Sequence, residues 1–299
     1  MSAVAERPTR ARVWLLAARP RTLWASAAPV IVGTALAAAG GKAHALSAIA
    51  ALAGGLLIQI GTNFANDLHD FERGADTPSR IGPTRATASG FVTPHAMRAA
   101  VGIVFASAML VGTYLVARGG VPILAVGLAS ILAGIAYTGG PRPLGYMGLG
   151  DLFVFVFFGL VPVAGTYYVQ ALALPASALW AGVPMGLLAT AILCVNNLRD
   201  IDTDRETGKR TLAVRLGRRG TRAEYVFLVA AAALAPVVFV AARIFPPGVL
   251  LAVAASATAW PSLRRVLRET DGPTLNRALA GTARAQAIYA LAFSVGLLV

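Results

Sequence analysis

Charge is scarce in this sequence. Only 13% of its 299 residues are Asp, Glu, Lys or Arg, against 57% hydrophobic, a balance that excludes an ordinary soluble domain of this size. One cysteine, Cys194, excludes an intramolecular disulfide. His44, His69 and His95 lack metal-ligand spacing, and no G-x-S-x-G elbow offers a serine nucleophile. Gly208-Lys209 looks like the end of a phosphate loop, but Thr203 stands where that loop needs its first glycine, so it is not a Walker motif.

What is abundant is uninterrupted apolar sequence. Charge-free windows run over residues 22–41, 43–66, 99–117, 119–141, 152–198, 225–242, 244–263 and 285–299. A helical crossing of a bilayer takes about 20 residues, and apolar runs of that length imply helices because backbone groups in hydrocarbon must be satisfied internally. The turn signal Leu174-Pro175-Ala176-Ser177 divides the longest window in two. The last window extends back to Leu279 with Arg284 snorkelling at its start. The expected fold is therefore all-α, a polytopic bundle of nine transmembrane helices embedded in the lipid bilayer.

The net charge of +13 invites a nucleic-acid reading, but the basic residues sit in short loops bracketed by spans rather than on one soluble face. Nine spans place 23 of the 26 Lys and Arg on one side, leaving Lys42, Arg118 and Arg243 on the other. This is the positive-inside signature, which predicts a cytoplasmic N-terminus, an outside C-terminus and residence in the cell membrane. A cleaved signal peptide ending near Ala35-Leu36-Ala37 is the alternative for the first run, which is long for one and is followed by more spans. Residues 1–21 are expected to form a cytoplasmic segment and 22–299 the nine-helix domain, with active-site loops at 63–94, 138–151 and 199–222.

The acids are more informative than the bases. Of thirteen, eight fall in two stretches, Asp67, Asp70, Glu72 and Asp76 after the second span and Asp200, Asp202, Asp204 and Glu206 after the sixth. Both stretches face the same compartment. Asn63 and Asp67, Asn66 and Asp70, Asn196 and Asp200, and Asp200 and Asp204 are each four apart, which puts each pair on one helix face. Asn66 and Asp70 recur 130 residues later as Asn196 and Asp200, as an internal repeat would have it. Clustered carboxylates at a membrane repel one another and call for a cation. Oxygen ligands with amide help suggest Mg²⁺, which usually binds through a few carboxylates plus substrate phosphates, so a diphosphate is the expected ligand.

These motifs resemble the UbiA-type membrane prenyltransferases, which carry N-D-x-x-D and N-x-x-x-D-x-x-x-D on the second and sixth helices. Three further stretches are similar to the MenA-type enzymes that prenylate 1,4-dihydroxy-2-naphthoate in menaquinone synthesis. They are Ser79-Arg80-Ile81-Gly82-Pro83-Thr84-Arg85, the loop from Tyr137-Thr138-Gly139-Gly140-Pro141-Arg142 through Gly148-Leu149-Gly150-Asp151, and Gly208-Lys209-Arg210-Thr211-Leu212-Ala213 with the residues up to Gly217. The superfamily's third acid of the first motif is replaced by Gly74, with Asp76 two residues on.

The resemblance implies transfer of a polyprenyl chain from polyprenyl diphosphate to 1,4-dihydroxy-2-naphthoate. Asn66, Asp67, Asp70, Asp76, Asn196, Asp200 and Asp204 are the implied metal ligands, with Asp67, Asp70, Asp200 and Asp204 carrying the catalysis. Arg80, Arg85, Lys209 and Arg210 adjoin the motifs and are candidates to clamp diphosphate. Asn63, Asn197, Tyr137 and Arg142 complete the expected substrate contacts, Arg142 as partner of an acceptor carboxylate. Phe153, Phe155, Phe157 and Phe158 are expected along an apolar groove for the isoprenoid. The rivals are another aromatic acceptor such as 4-hydroxybenzoate and, from a different class, a cation transporter.

Overall fold

The computed structural model describes residues 9–74, 82 and 85–299. Asp76 and Arg80 lie outside the described residues. All regular structure among the described residues is helical, and local chemistry sets the boundaries. Helix α1 (Arg10–Ala18) ends at Arg19 in the left-handed region (φ 52°), and Pro20 opens α2 (Pro20–Ala39). His44 Nδ1 accepts from Ser47 N at 3.3 Å to cap α3 (Ala45–Glu72). Thr93 caps α4 (Pro94–Gly119), and Gly120 at φ 70° turns the chain directly into α5 (Val121–Ala136).

Beyond the Tyr137–Leu149 connection come α6 (Gly150–Phe155), a π segment at Val156–Leu160 and α7 (Val161–Ala171), which run on as one rod. α8 (Ala176–Glu206) and α9 (Leu212–Ala241) follow, α9 bent where Gly217 leaves helical geometry. Next are α10 (Leu251–Ser256), α11 (Trp260–Arg268) and α12 (Gly272–Leu298).

Among the described residues, six helical stretches are long and apolar enough to cross a membrane: Thr22–Ala39, Ala45–Glu72, Pro94–Gly119, Gly150–Ala171, Ala176–Glu206 and Leu212–Ala241. Val121–Ala136, expected as a fourth span, is a shorter apolar helix. The window expected as the eighth span is broken into α10, α11 and two 3-10 turns, with Pro247 and Pro261 at the start of pieces. α12 starts well before the apolar window that announces it and carries Arg277 and Arg284.

Neighbouring long helices pair, α3 with α4 and α8 with α9, while α2 packs on α12, α7, α3 and α8. The largest core cluster joins Val32 of α2, Val163 of α7, Met185 of α8, Ala232 of α9 and Phe293 of α12. Small residues let backbones meet, as membrane helices require where burial from water offers no drive. A Cβ on Gly159 in the π segment would sit 2.4 Å from Gly186 Cα and 2.8 Å from the Gly182 carbonyl of α8. Helix α1 is packed too, because its Val13 and Ala17 are buried beside Phe64 and Leu68 of α3, close to the acid end of that helix.

Candidate active site

The acid-bearing ends of α3 and α8 open into one cavity of about 1010 Å³. Asn66, Asp70, Asn196, Asn197, Asp200 and Asp204 line its polar end, with Arg85, Lys209, Tyr137 and Tyr146. Away from them the wall is apolar, built from residues such as Leu110, Val116, Leu124 and Leu128 of α4 and α5. Phe153, Phe157 and Phe158 also line it, Phe153 and Phe157 stacked with ring centroids 5.9 Å apart. Phe155 instead packs on the backbone of Gly186.

Asp70 is the most heavily engaged acid. Arg85 pairs with its Oδ2, while Lys209 Nζ at 3.2 Å and the Tyr146 hydroxyl at 2.9 Å both donate to Oδ1. Lys209 also lies 4.7 Å from the Tyr146 ring centroid and Arg73 5.6 Å from it, so the ring is flanked by cations. Burial, and then the charge of Asp70, hold the Tyr146 hydroxyl protonated well above the usual tyrosine range. Asn66 Oδ1 accepts from Thr138 Oγ1 at 2.7 Å, tying the loop after α5 to α3.

On α8, Arg199 holds Asp200 through Nε–Oδ1 at 2.7 Å and a second bond at 2.5 Å to Oδ2. The same guanidinium donates to Asn196 Oδ1 at 2.9 Å and to Asn276 Oδ1 of α12 at 2.6 Å. Its side chain is only 1% exposed.

Other candidates stand apart from this group. Asp67 is buried, does not line the cavity, and accepts from Ala86 N at 2.9 Å and Thr87 N at 3.0 Å, one bond to each oxygen. Arg142 is exposed and not on the cavity wall. Arg210 is exposed as well, its backbone N–H donating to the Tyr146 carbonyl at 3.0 Å. Asp202 is exposed and pairs with Arg218 at 2.7 Å. Among the described residues, no three His, Cys, Asp or Glu side chains gather closely enough to hold a metal by themselves.

The sequence by itself does not single out Arg199, Arg19, Thr22 or Gln59. Arg199 was counted only as a topological charge, although it sits within the second motif. Gln59 carried a usable signal, a polar residue inside an apolar span and four before Asn63 on the same face.

An apolar chamber inside a helical bundle, closed at one end by carboxylates, amides and cations, is the architecture of a membrane-embedded site for a long apolar molecule with an anionic head. The chain belongs to the UbiA prenyltransferase family, which it matches over residues 26–291. It is 39% identical to the 1,4-dihydroxy-2-naphthoate octaprenyltransferase of Escherichia coli K12 over 97% of this chain and 96% of that one. The enzyme of the same name from Mycobacterium tuberculosis is also 39% identical, over 93% of this chain and 94% of its own. A UbiA homologue from Archaeoglobus fulgidus, solved bound to GPP and Mg²⁺, shares the fold with a TM-score of 0.65 at 13% identity, covering 96% of this chain and all of that one.

Proposed function

We propose that this prenyltransferase joins a polyprenyl chain from polyprenyl diphosphate to 1,4-dihydroxy-2-naphthoate, releasing diphosphate and CO₂. The observation that carries this reading is the single cavity that brings both Asn/Asp motifs to one polar end and continues as an apolar chamber. The substrate named for the bacterial relatives supports the choice of acceptor. The domain at residues 22–299 crosses the cell membrane nine times, with the short α5, the broken α10–α11 stretch and α12 joining the six long spans. The basic loops and the polar end of the cavity face the cytoplasm, with the C-terminus outside.

Mg²⁺ is the proposed cofactor, and the donor set suits it. Asn66, Asp70, Asn196, Asp200 and Asp204 offer only hard oxygen atoms, too few on either helix to form a closed cage, as expected where substrate phosphates complete the shell. Asp76 is a further candidate from the same motif. Asp67, with both oxygens taken by backbone N–H groups, positions the 85–87 turn instead. When bound, Mg²⁺ neutralises diphosphate and favours its departure.

The chain's own residues do the rest. Arg85 and Lys209, both at Asp70, supply mobile positive charge to the diphosphate, with Arg80 as a further candidate from the loop before Arg85. The allylic carbon–oxygen bond breaks toward diphosphate and a carbon–carbon bond forms at the ring carbon bearing the carboxylate. That carboxylate then leaves as CO₂, and its bonding electrons restore the aromatic ring, giving the reduced form of demethylmenaquinone. The apolar wall keeps water from the allylic cation, which water would otherwise quench to a prenol.

Purified enzyme in detergent, given Mg²⁺, a long polyprenyl diphosphate and either 1,4-dihydroxy-2-naphthoate or 4-hydroxybenzoate, tests this by mass spectrometry of the product. A prenylated, decarboxylated naphthoquinol lost in Asp70→Ala and Asp200→Ala is the expected result. Product from the benzoate alone would overturn the acceptor, and Mg²⁺ uptake into liposomes with no product would overturn the reaction.

A further inference from the structure

One wall of the cavity carries polar side chains that neither the motifs nor the diphosphate chemistry uses. Thr22 and Ser26 of α2 face Gln59 and Asn63 of α3, and all four line the chamber. Gln59 Nε2 donates to Thr22 Oγ1 at 3.3 Å and to Asn63 Oδ1 at 3.4 Å, and Ser26 Oγ donates to Gln59 Oε1 at 3.5 Å. Asn63 Nδ2 also reaches Thr22 Oγ1, at 3.2 Å. The three links made by Gln59 are longer than an ordinary hydrogen bond, so this part of the ladder is satisfied only weakly. Its outer anchors are tighter, with Asn63 Nδ2 to the Ala18 carbonyl and Thr22 Oγ1 to the Arg19 carbonyl both at 2.9 Å.

Polar groups within membrane spans are costly unless well paired, so a slack, cavity-facing set is suited to a ligand that completes it. The position is also apt. Gln59 lies eleven residues along α3 from Asp70, about 16 Å at 1.5 Å per residue, and Asn63 about 10 Å, which puts the ladder inward of the diphosphate end. Beside it, Ala25, Phe158, Ile192 and Leu279 form an apolar cluster that also lines the chamber. Arg19 lines it at the ladder's outer end. An aromatic acid bearing hydroxyl groups matches all three features, with its carboxylate at Arg19, hydroxyls at Gln59 and Ser26, and fused rings on the apolar cluster.

We propose that Thr22, Ser26, Gln59 and Asn63, with Arg19, form the acceptor subsite, in which Gln59 and Ser26 read the hydroxyl groups of the aromatic ring. This rests on the prenyl-transfer reading above. A ring hydroxyl donates to Gln59 Oε1 while accepting from Ser26 Oγ, replacing the 3.5 Å link between them. A purely structural α2–α3 tie would have no preference among acceptors.

The test compares Gln59→Met and Ser26→Ala with wild type in steady-state kinetics on both substrates. It adds calorimetric binding, without donor, of 1,4-dihydroxy-2-naphthoate and of 2-naphthoate, which lacks the hydroxyls. Loss of a neutral hydrogen bond predicts an acceptor KM raised about tenfold in Gln59→Met, with the donor KM within about twofold and 2-naphthoate binding unchanged. Ser26→Ala removes only a hydroxyl, keeps the fold, and is expected to shift the acceptor KM in the same direction by a smaller factor. Normal wild-type turnover with an unchanged acceptor KM in both variants overturns the subsite alone. So does a parallel loss of donor KM, 2-naphthoate binding and melting temperature. Wild type that turns over no naphthoate overturns the prenyl-transfer reading together with the subsite.

Discussion

Replacing Arg199 by Met is the most severe single change the structure allows outside the acids themselves. The guanidinium is 1% exposed and makes two hydrogen bonds to Asp200, one to Asn196 and one to Asn276 of α12. Removing one partner of a buried ion pair leaves the other charge uncompensated, at about 3–5 kcal/mol, and Met fills much of the volume so that little of this is cavity cost. The bonds form one network, so their separate values are not to be added. At about 2–4 °C per kcal/mol for a chain of this order, the melting temperature in detergent should fall by roughly 6–20 °C. Asp200 and Asn196 are both proposed metal ligands, so turnover should fall by more than the folded fraction does. Arg199→Lys keeps the charge but not the planar fork and should lie between the two. Static light scattering or differential scanning fluorimetry gives the first quantity and product formation the second. A variant melting within 1 °C of wild type with turnover within twofold would refute the role given to this arginine.

Three further changes separate the other contacts. Tyr146→Phe keeps the ring between Arg73 and Lys209 but removes the donor to Asp70, so turnover should fall about tenfold while thermal stability hardly moves. Because the Tyr146 hydroxyl is held protonated in the folded chain, the unfolded chain loses its proton first, and stability should decline as pH rises past about 10, a slope absent from Tyr146→Phe. Asp67→Asn puts an amide where two backbone N–H groups need acceptors, which should cost about 1–3 kcal/mol in a melt and disturb the 85–87 turn. Gly186→Val would place a Cβ 2.6 Å from the Phe155 carbonyl and should lower the melting temperature through overpacking of about 1–3 kcal/mol, with KM for both substrates little changed in the folded fraction.

Apolar runs made the long helices legible because a membrane span needs little more than length and hydropathy. The 244–263 window has both and still breaks, because Pro247 and Pro261 open new pieces and Ala257–Ala259 tightens to a 3-10 turn. At the site, four-residue spacing points to faces of α3 and α8, but a shared face does not fix a shared partner. Asn63 reaches back to Ala18 of α1 and Thr22 of α2 while Asp67, four residues on, reaches the 85–87 turn. Arg199 was invisible for another reason, since an arginine that complements a motif looks in sequence like one that sets topology. Gly208–Arg210 was noticed as a loop beside a motif, yet only folding shows that Lys209 serves the acid of α3 and Arg210 does not.

The two halves are therefore not equivalent, despite the repeat of Asn66 and Asp70 as Asn196 and Asp200. Asp200 takes its cation from the adjacent residue of its own helix, so the second motif arrives largely assembled. Asp70 takes its cations from Arg85, 15 residues on, and from Lys209, beyond the end of α8. Tyr146, from the 138–151 loop, donates to the same carboxylate and lies under the same lysine. All three active-site loops thus converge on Asp70, whereas Arg199 anchors Asp200 to α12. A ligand that draws Lys209 away from Asp70 loosens the loops from the first motif without disturbing the second. Conformational change on diphosphate binding should accordingly be concentrated in the loops at 85–93, 138–149 and 207–211, and hydrogen exchange with and without polyprenyl diphosphate should leave the α8–α12 contact at Asn276 unaltered.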